Sequence, residues 1–180
     1  MNAITMLKAD HKTVSDLFRR FERSGDDAHE QKREIVRRIV EELSVHAAIE
    51  EQVFYPAIRA EVKGVEDMTL EALEEHHIVK WTLAELDGMD PRDERFVAKV
   101  TVLIESVRHH VKEEEGDLFP KVSKKLSRSR LNELGEAMAK VKQVVPTHPH
   151  PRLPDAPPLN AIAGAVGVAE RVGDLSLIHI

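Results

Sequence analysis

Apolar residues recur along the first four fifths of this chain in alternating steps of three and four, the rhythm of helices that each bury one stripe. Ile4, Leu7, Val14, Phe18 and Phe21 open the pattern, and Phe96, Val100, Leu103 and Val107 repeat it late. Turn-like patches at Ser24-Gly25-Asp26-Asp27, Lys63-Gly64 and Gly88-Met89-Asp90-Pro91 cut the run. The spacing predicts four principal helices over residues 3–23, 29–62, 66–87 and 92–125, with a fifth over 129–144 packed outside them. From residue 146 six prolines fall within thirteen positions, which excludes helix or central strand and predicts an extended tail. The expected architecture is all-α: an up-down-up-down four-helix bundle over residues 1–145, including the additional C-terminal helix, then a Pro-rich tail over 146–180. No function is read from residues 159–180, a weakly amphipathic and Gly-interrupted stretch.

Polar residues break the stripe at selected places. His11 fills the gap between Leu7 and Val14, and the second segment reads Ile39, Leu43, His46, Glu50, Val53 in the same rhythm. The third gives Leu73, His76, Val79, Leu83, Leu86, and the fourth continues from Val107 to His110 and Glu114. Seam residues at comparable heights converge on the single axis of a four-helix bundle, where such folds build metal sites. A buried ionised glutamate without a partner is costly or takes up a proton. A cation shared by His11, His46, Glu50, His76, His110 and Glu114 supplies the compensation.

An internal repeat strengthens that reading. His46-Ala-Ala-Ile-Glu50-Glu-Gln-Val-Phe-Tyr-Pro56 aligns without a gap to His110-Val-Lys-Glu-Glu114-Glu-Gly-Asp-Leu-Phe-Pro120, 64 residues later. Asp10-His11 aligns to Glu75-His76 at an offset of 65. A single seam histidine, or one His-x-x-x-Glu, is commoner as ordinary core or charged surface. Two copies in matching frames favour ligands. His77 and His109 lie one position off the seam and read as surface or supporting residues, while His29, His148, His150 and His179 fall in loops or tail. Glu51 and Glu115 read as solvated or as orienting the ligands, and are the first substitutes for Glu50 and Glu114. Tyr55 and Phe119 read as core aromatics near the site, and Pro56 and Pro120 are expected to end or bend their helices.

Composition narrows the chemistry. Hydrophobic residues make up 42% and aromatics only 4%, a balance that favours helix. A net charge of -6 and a pI near 5.9 argue against nucleic acid or an anionic membrane as partner. With no cysteine, thiolate sites, iron–sulfur clusters and disulfides are excluded, so any metal is held by nitrogen and oxygen. No secretory signal is visible, and the longest uncharged apolar stretch, residues 159–169, is too short to span a bilayer. The expected compartment is the cytoplasm.

The pattern D-H, then H-x-x-x-E-E-x-x-F-Y-P, then E-H, then H-x-x-x-E-E-x-x-L-F-P resembles the hemerythrin-like HHE cation-binding domain, over roughly residues 4–126. The resemblance implies a four-helix bundle with two iron ions joined by an oxo or hydroxo bridge. It implies His11, His46, His76 and His110 as histidine ligands and Glu50 and Glu114 as carboxylates bridging the metals. Zinc or manganese would also suit these donors. Oxygen-carrying members have a further histidine four positions before the third-helix ligand, where this chain has Ala72. Without it the two metals are left more symmetric and more open, which points away from simple oxygen carriage. The resemblance implies binding of, or reaction with, oxygen, nitric oxide or peroxide, in sensing, iron handling or stress protection. Two alternatives stand beside it: a catalase-like enzyme degrading hydrogen peroxide, and a regulatory module with structural zinc.

Overall fold

The computed structural model describes residues 1–145 and 147–149, and every regular element among them is helical. Helix α1 spans Ala3–Glu22 and begins where the Asn2 side chain accepts the Thr5 backbone N–H, satisfying a donor of the first turn. Helix α2, His29–Ile49, runs into a π-helical turn at Glu50–Phe54 and then into α3, Tyr55–Glu61. Helix α4 covers Glu66–Leu86. Helix α5, Phe96–Glu113, passes through a second π turn, Glu114–Leu118, into α6, Phe119–Lys125. Helix α7, Arg128–Lys142, starts with the Ser127 hydroxyl accepting the Arg130 N–H.

Two details depart from the sequence expectation. Pro56 and Pro120 neither end nor break their helices, which run on to Glu61 and Lys125. Each proline is the second residue of the α-segment after a π turn, a place where a missing N–H leaves no α-helical bond unmade. Helix α5 begins at Phe96 rather than at residue 92, because the Asp90 and Asp93 carboxylates accept the backbone N–H groups of Arg92 and Arg95. Such local bonds offer the backbone an alternative to helix. The expected tail falls outside the described residues apart from positions 147–149, and so do His150 and His179.

The up-down-up-down order follows from how the helices share two apolar clusters. One cluster takes Val14, Phe18 and Phe21 from the end of α1, Ile35 and Ile39 from the start of α2, Leu83 and Leu86 from the end of α4, and Phe96 and Val100 from the start of α5. The other takes Ile4 and Leu7 from the start of α1, Ile49 from the end of α2, and Phe54, Ile58, Phe119 and Val122 from the π turns and the helices after them. Leu131, Leu134 and Met138 of α7 belong to this second cluster, and α7 packs on the outside of the bundle along α1 and α2, as expected. Its close approach to the start of α1 depends on Gly135. A Cβ there would run into the Met1 carbonyl oxygen and lie 2.9 Å from the Ala3 nitrogen. No helix among the described residues is long and apolar enough to cross a membrane.

Candidate metal centre

Between the two apolar clusters lies a buried polar layer made of the six residues predicted as ligands. His11, His46, Glu50, His76, His110 and Glu114 are each no more than 6% exposed. The seam rhythm puts them there. Four helices present one imidazole each, and the two longer arms add a glutamate one turn further on.

The imidazoles pair across the halves of each hairpin. His11 Nε2 lies 3.2 Å from His46 Nε2, and His76 Nε2 lies 3.3 Å from His110 Nε2. Each glutamate spans both pairs. Glu50 Oε2 is 3.1 Å from His46 Nε2 and 3.4 Å from His76 Nε2, while Glu114 Oε2 is 3.3 Å from His11 Nε2 and 3.5 Å from His110 Nε2. The donor atoms of His11, His46, Glu50 and Glu114 lie within 4.8 Å of one another, and so do those of Glu50, His76 and His110.

Behind each imidazole stands a second carboxylate, at the Nδ1 that faces away from the centre. His11 Nδ1 meets Glu115 at 2.8 Å, His76 Nδ1 meets Glu51 at 3.1 Å, His110 Nδ1 meets Glu75 at 2.7 Å, and His46 Nδ1 faces Asp10 at 3.7 Å. A carboxylate at Nδ1 fixes the ring's orientation and leaves Nε2 free to bind a cation. The pattern obeys the repeat. The acid just before the histidine of the first helix of a hairpin supports the histidine of the second helix. The acid just after each seam glutamate supports a histidine of the other hairpin. Glu51 and Glu115 therefore orient candidate ligands, Glu75, which sequence reasoning left without a role, does the same, and Asp10 faces His46 beyond hydrogen-bond distance. Their signal was present in the alignment of Asp10-His11 with Glu75-His76.

The outer acids have partners of their own. Lys142 of α7 reaches Asp10 at 2.6 Å, buried Lys80 reaches Glu51 at 3.0 Å, and Lys8 lies 3.8 Å from Glu115. Lys80 and Lys142 had no counterpart in the sequence reading. A lysine one turn past His76 reads as surface until the facing glutamate is known.

The halves differ at one aromatic position. The Tyr55 hydroxyl donates to Glu114 Oε1 at 2.8 Å, its ring 5.5 Å from that of His76. Burial first, and then the charge of Glu114, holds the Tyr55 phenol well above its usual range, so it stays a donor. Its counterpart Phe119 stacks on His11 with ring centres 5.9 Å apart and gives Glu50 nothing.

The donor set fits cations. Both oxygens of Glu50 and Oε2 of Glu114 are buried without a hydrogen-bond partner. The contact of Glu50 with His46 Nε2 is short but out of line. Buried carboxylate oxygens with no donor are rare in stable folds and indicate a positive charge at the centre. Two nitrogens about 3.2 Å apart are spaced as ligands of one ion with metal–nitrogen distances of about 2.1 Å. Protons compete for the same place. Burial alone would depress His46, but the charge of Glu50 and the carboxylate of Asp10 override it and push the ring up to about 10. His76 is likewise raised to about 9, against burial, by Glu50 and Glu51. These imidazoles in turn hold Glu50 well below the usual carboxylate range in spite of its burial.

Two openings touch the layer. An apolar cavity of about 30 Å³ lies on the side of the first cluster, walled by the four histidines and by residues such as Val14, Leu43, Val79 and Val107. A cleft of about 280 Å³ beside α4 reaches His110 and Glu114 from the surface, and Ala72 is among its lining residues. His77 is exposed and accepts the Trp81 indole N–H, away from the centre.

Comparison with known proteins agrees with the helical fold. A hemerythrin-like protein of Schizosaccharomyces pombe is 32% identical over 124 residues, covering 68% of this chain and 61% of its own. A protein of Nostoc sp. described as a DNA nickase is 31% identical over 147 residues, 79% of this chain and 41% of its own. The chain thus spans about three fifths and two fifths of the lengths of these relatives. The crystal structure of a hemerythrin HHE cation binding domain-containing protein from Mycobacterium kansasii superposes with a TM-score of 0.68 at 26% identity, covering 79% of this chain and 86% of that one. The profile of the hemerythrin HHE cation binding domain matches residues 2–122, and the chain belongs to that family of cation-binding helical domains.

Proposed function

We propose that the chain is a non-haem di-iron protein that binds or reacts with oxygen, nitric oxide or peroxide. His11 and His46 would hold one ion and His76 and His110 the other, with Glu50 and Glu114 shared between them. The observation that carries this reading is that each glutamate faces one imidazole from each pair through an oxygen, Oε2, that has no hydrogen-bond donor. One cation would satisfy only half of that arrangement. Imidazole and carboxylate donors suit iron, and an iron pair supplies redox chemistry that no side chain here possesses.

The residues around the layer set what can approach. The 30 Å³ cavity has room for a molecule of water's size, and its non-histidine walls are apolar, which favours small neutral species over ions. Glu51, Glu75 and Glu115 hold three of the imidazole rings in place, Asp10 faces the fourth, and Tyr55 donates a hydrogen bond to the oxygen of Glu114 facing away from the histidines. That phenol is the one hydroxyl donor among the described residues that touches the six. It gives peroxide decomposition, the enzymatic alternative, a candidate proton source.

The test is metal analysis and an absorption spectrum of protein purified without a histidine tag, before and after peroxide. Two irons per chain with near-ultraviolet bands that respond to peroxide are expected. Stoichiometric zinc without colour would overturn the iron reading. Steady oxygen release from peroxide, lost in His110→Ala, would mark the protein as an enzyme.

A further inference from the structure

Of the four carboxylates that support the imidazoles, three are covered by lysine: Asp10 by Lys142, Glu51 by Lys80 and Glu115 by Lys8. Glu75 is the exception. Among the described residues no lysine or arginine pairs with it, and its second oxygen faces the exposed imidazole of His109 at 3.8 Å. His109 in turn lies 3.3 Å from Glu113. The cleft opens on this corner, lined by Glu71, Glu75, Glu113, Glu114 and Asp117 with Lys121. Five carboxylates against one lysine make a channel of negative potential, and narrow clefts of one sign concentrate the opposite ion.

The cleft leads somewhere. Burial grades from exposed Glu71 and Asp117, through half-buried Glu113 and Glu75, to Glu114 at its floor, which is 2% exposed and has an oxygen without a hydrogen-bond partner. Midway along this gradient, the donor atoms of Glu75 and Glu113 lie within 4.8 Å of each other and of the exposed His109 beside the cleft. The other cavity, of about 30 Å³, offers no carboxylate, and a divalent ion would have to shed its hydration against apolar walls before it met the imidazoles.

We propose that this acidic cleft is the path by which divalent cations load the centre, with Glu71 and Asp117 at its mouth, Glu75, His109 and Glu113 as the holding point midway and Glu114 as the first inner ligand. The proposal rests on the di-iron reading. It separates two kinds of traffic: ions reach the layer through the carboxylates beside α4, and small neutral molecules reach it through the apolar cavity on the other side.

The experiment mixes chelator-stripped protein with ferrous iron under anaerobic conditions and follows free iron by timed chelator quench. Glu71→Gln/Glu113→Gln/Asp117→Asn is expected to load about tenfold more slowly at low ionic strength, to the same final iron content, and to lose most of the salt dependence of the wild type. Glu34→Gln/Glu41→Gln, which removes acids on the outer face of α2, is expected to load at the wild-type rate. A cleft variant that loads as fast as the wild type overturns the path while leaving the di-iron reading intact. A wild-type chain that takes up no iron overturns both.

Discussion

Tyr55 shows how much one side chain settles at this centre. Its hydroxyl is the sole hydrogen-bond donor to Glu114 Oε1 among the described residues, and both groups are buried. Tyr55→Phe keeps the ring against His76 and leaves that oxygen bare, which should cost about 1–3 kcal/mol in metal-free protein. Denaturant unfolding of the chelator-treated variant measures it, and an unchanged midpoint would refute the role. The six seam residues were legible because their period coincides with that of the apolar stripe. The bond that Tyr55 makes was not legible. Its partner comes from the other half of the repeat, 59 positions away, and no local pattern announces a bond of that range. The same holds for Lys142, which reaches Asp10 from a helix that supplies no ligand candidate.

At the scale of elements, the π turns decide where the seam goes. The alternating three-and-four step places Val53 on the buried stripe, yet Val53 is only partly buried, whereas Phe54, Tyr55 and Ile58 are wholly inside. After Glu50 the buried positions step in fours, to Phe54, Ile58 and Val62, and after Glu114 they step likewise to Leu118 and Val122. An i→i+5 turn takes up one extra residue and rotates the helix on its far side, and such turns gather at functional sites. The periodicity carries no mark of that rotation, so the sequence reading held up to each glutamate and slipped just beyond it. Two glycines in helical segments now separate by context. Gly116, in the second π turn, has open space around an added Cβ and no left-handed backbone. Gly116→Ala should stabilise by about 0.5–1 kcal/mol. Gly135→Ala should destabilise by about 1–3 kcal/mol, because the start of α1 has to shift off α7. Thermal midpoints of the two variants, moving in opposite directions, are the check.

Over the whole molecule, the polar layer ties stability to pH. His46 at about 10 and His76 at about 9 sit above the unfolded histidine value of about 6.5, so metal-free protein gains from them fully below that pH. The gain is lost as pH rises through 9 and 10. Glu50, held low, contributes above about 4.5 and fails on further acidification. Chelator-treated protein should therefore be most stable between about pH 4.5 and 6.5 and weaken steadily toward pH 10. Thermal melts across that range test it, and a midpoint that climbs from pH 7 to 10 would contradict it. With cations bound, ligand atoms no longer exchange protons freely and the alkaline decline should flatten.

That layer also means the bundle has no continuous oily interior. Two modest hydrophobic bodies, one of them extended by α7, lie on either side of a layer of charge. Whatever neutralises that layer is a fastener between them, so filling the site should tighten both halves at once.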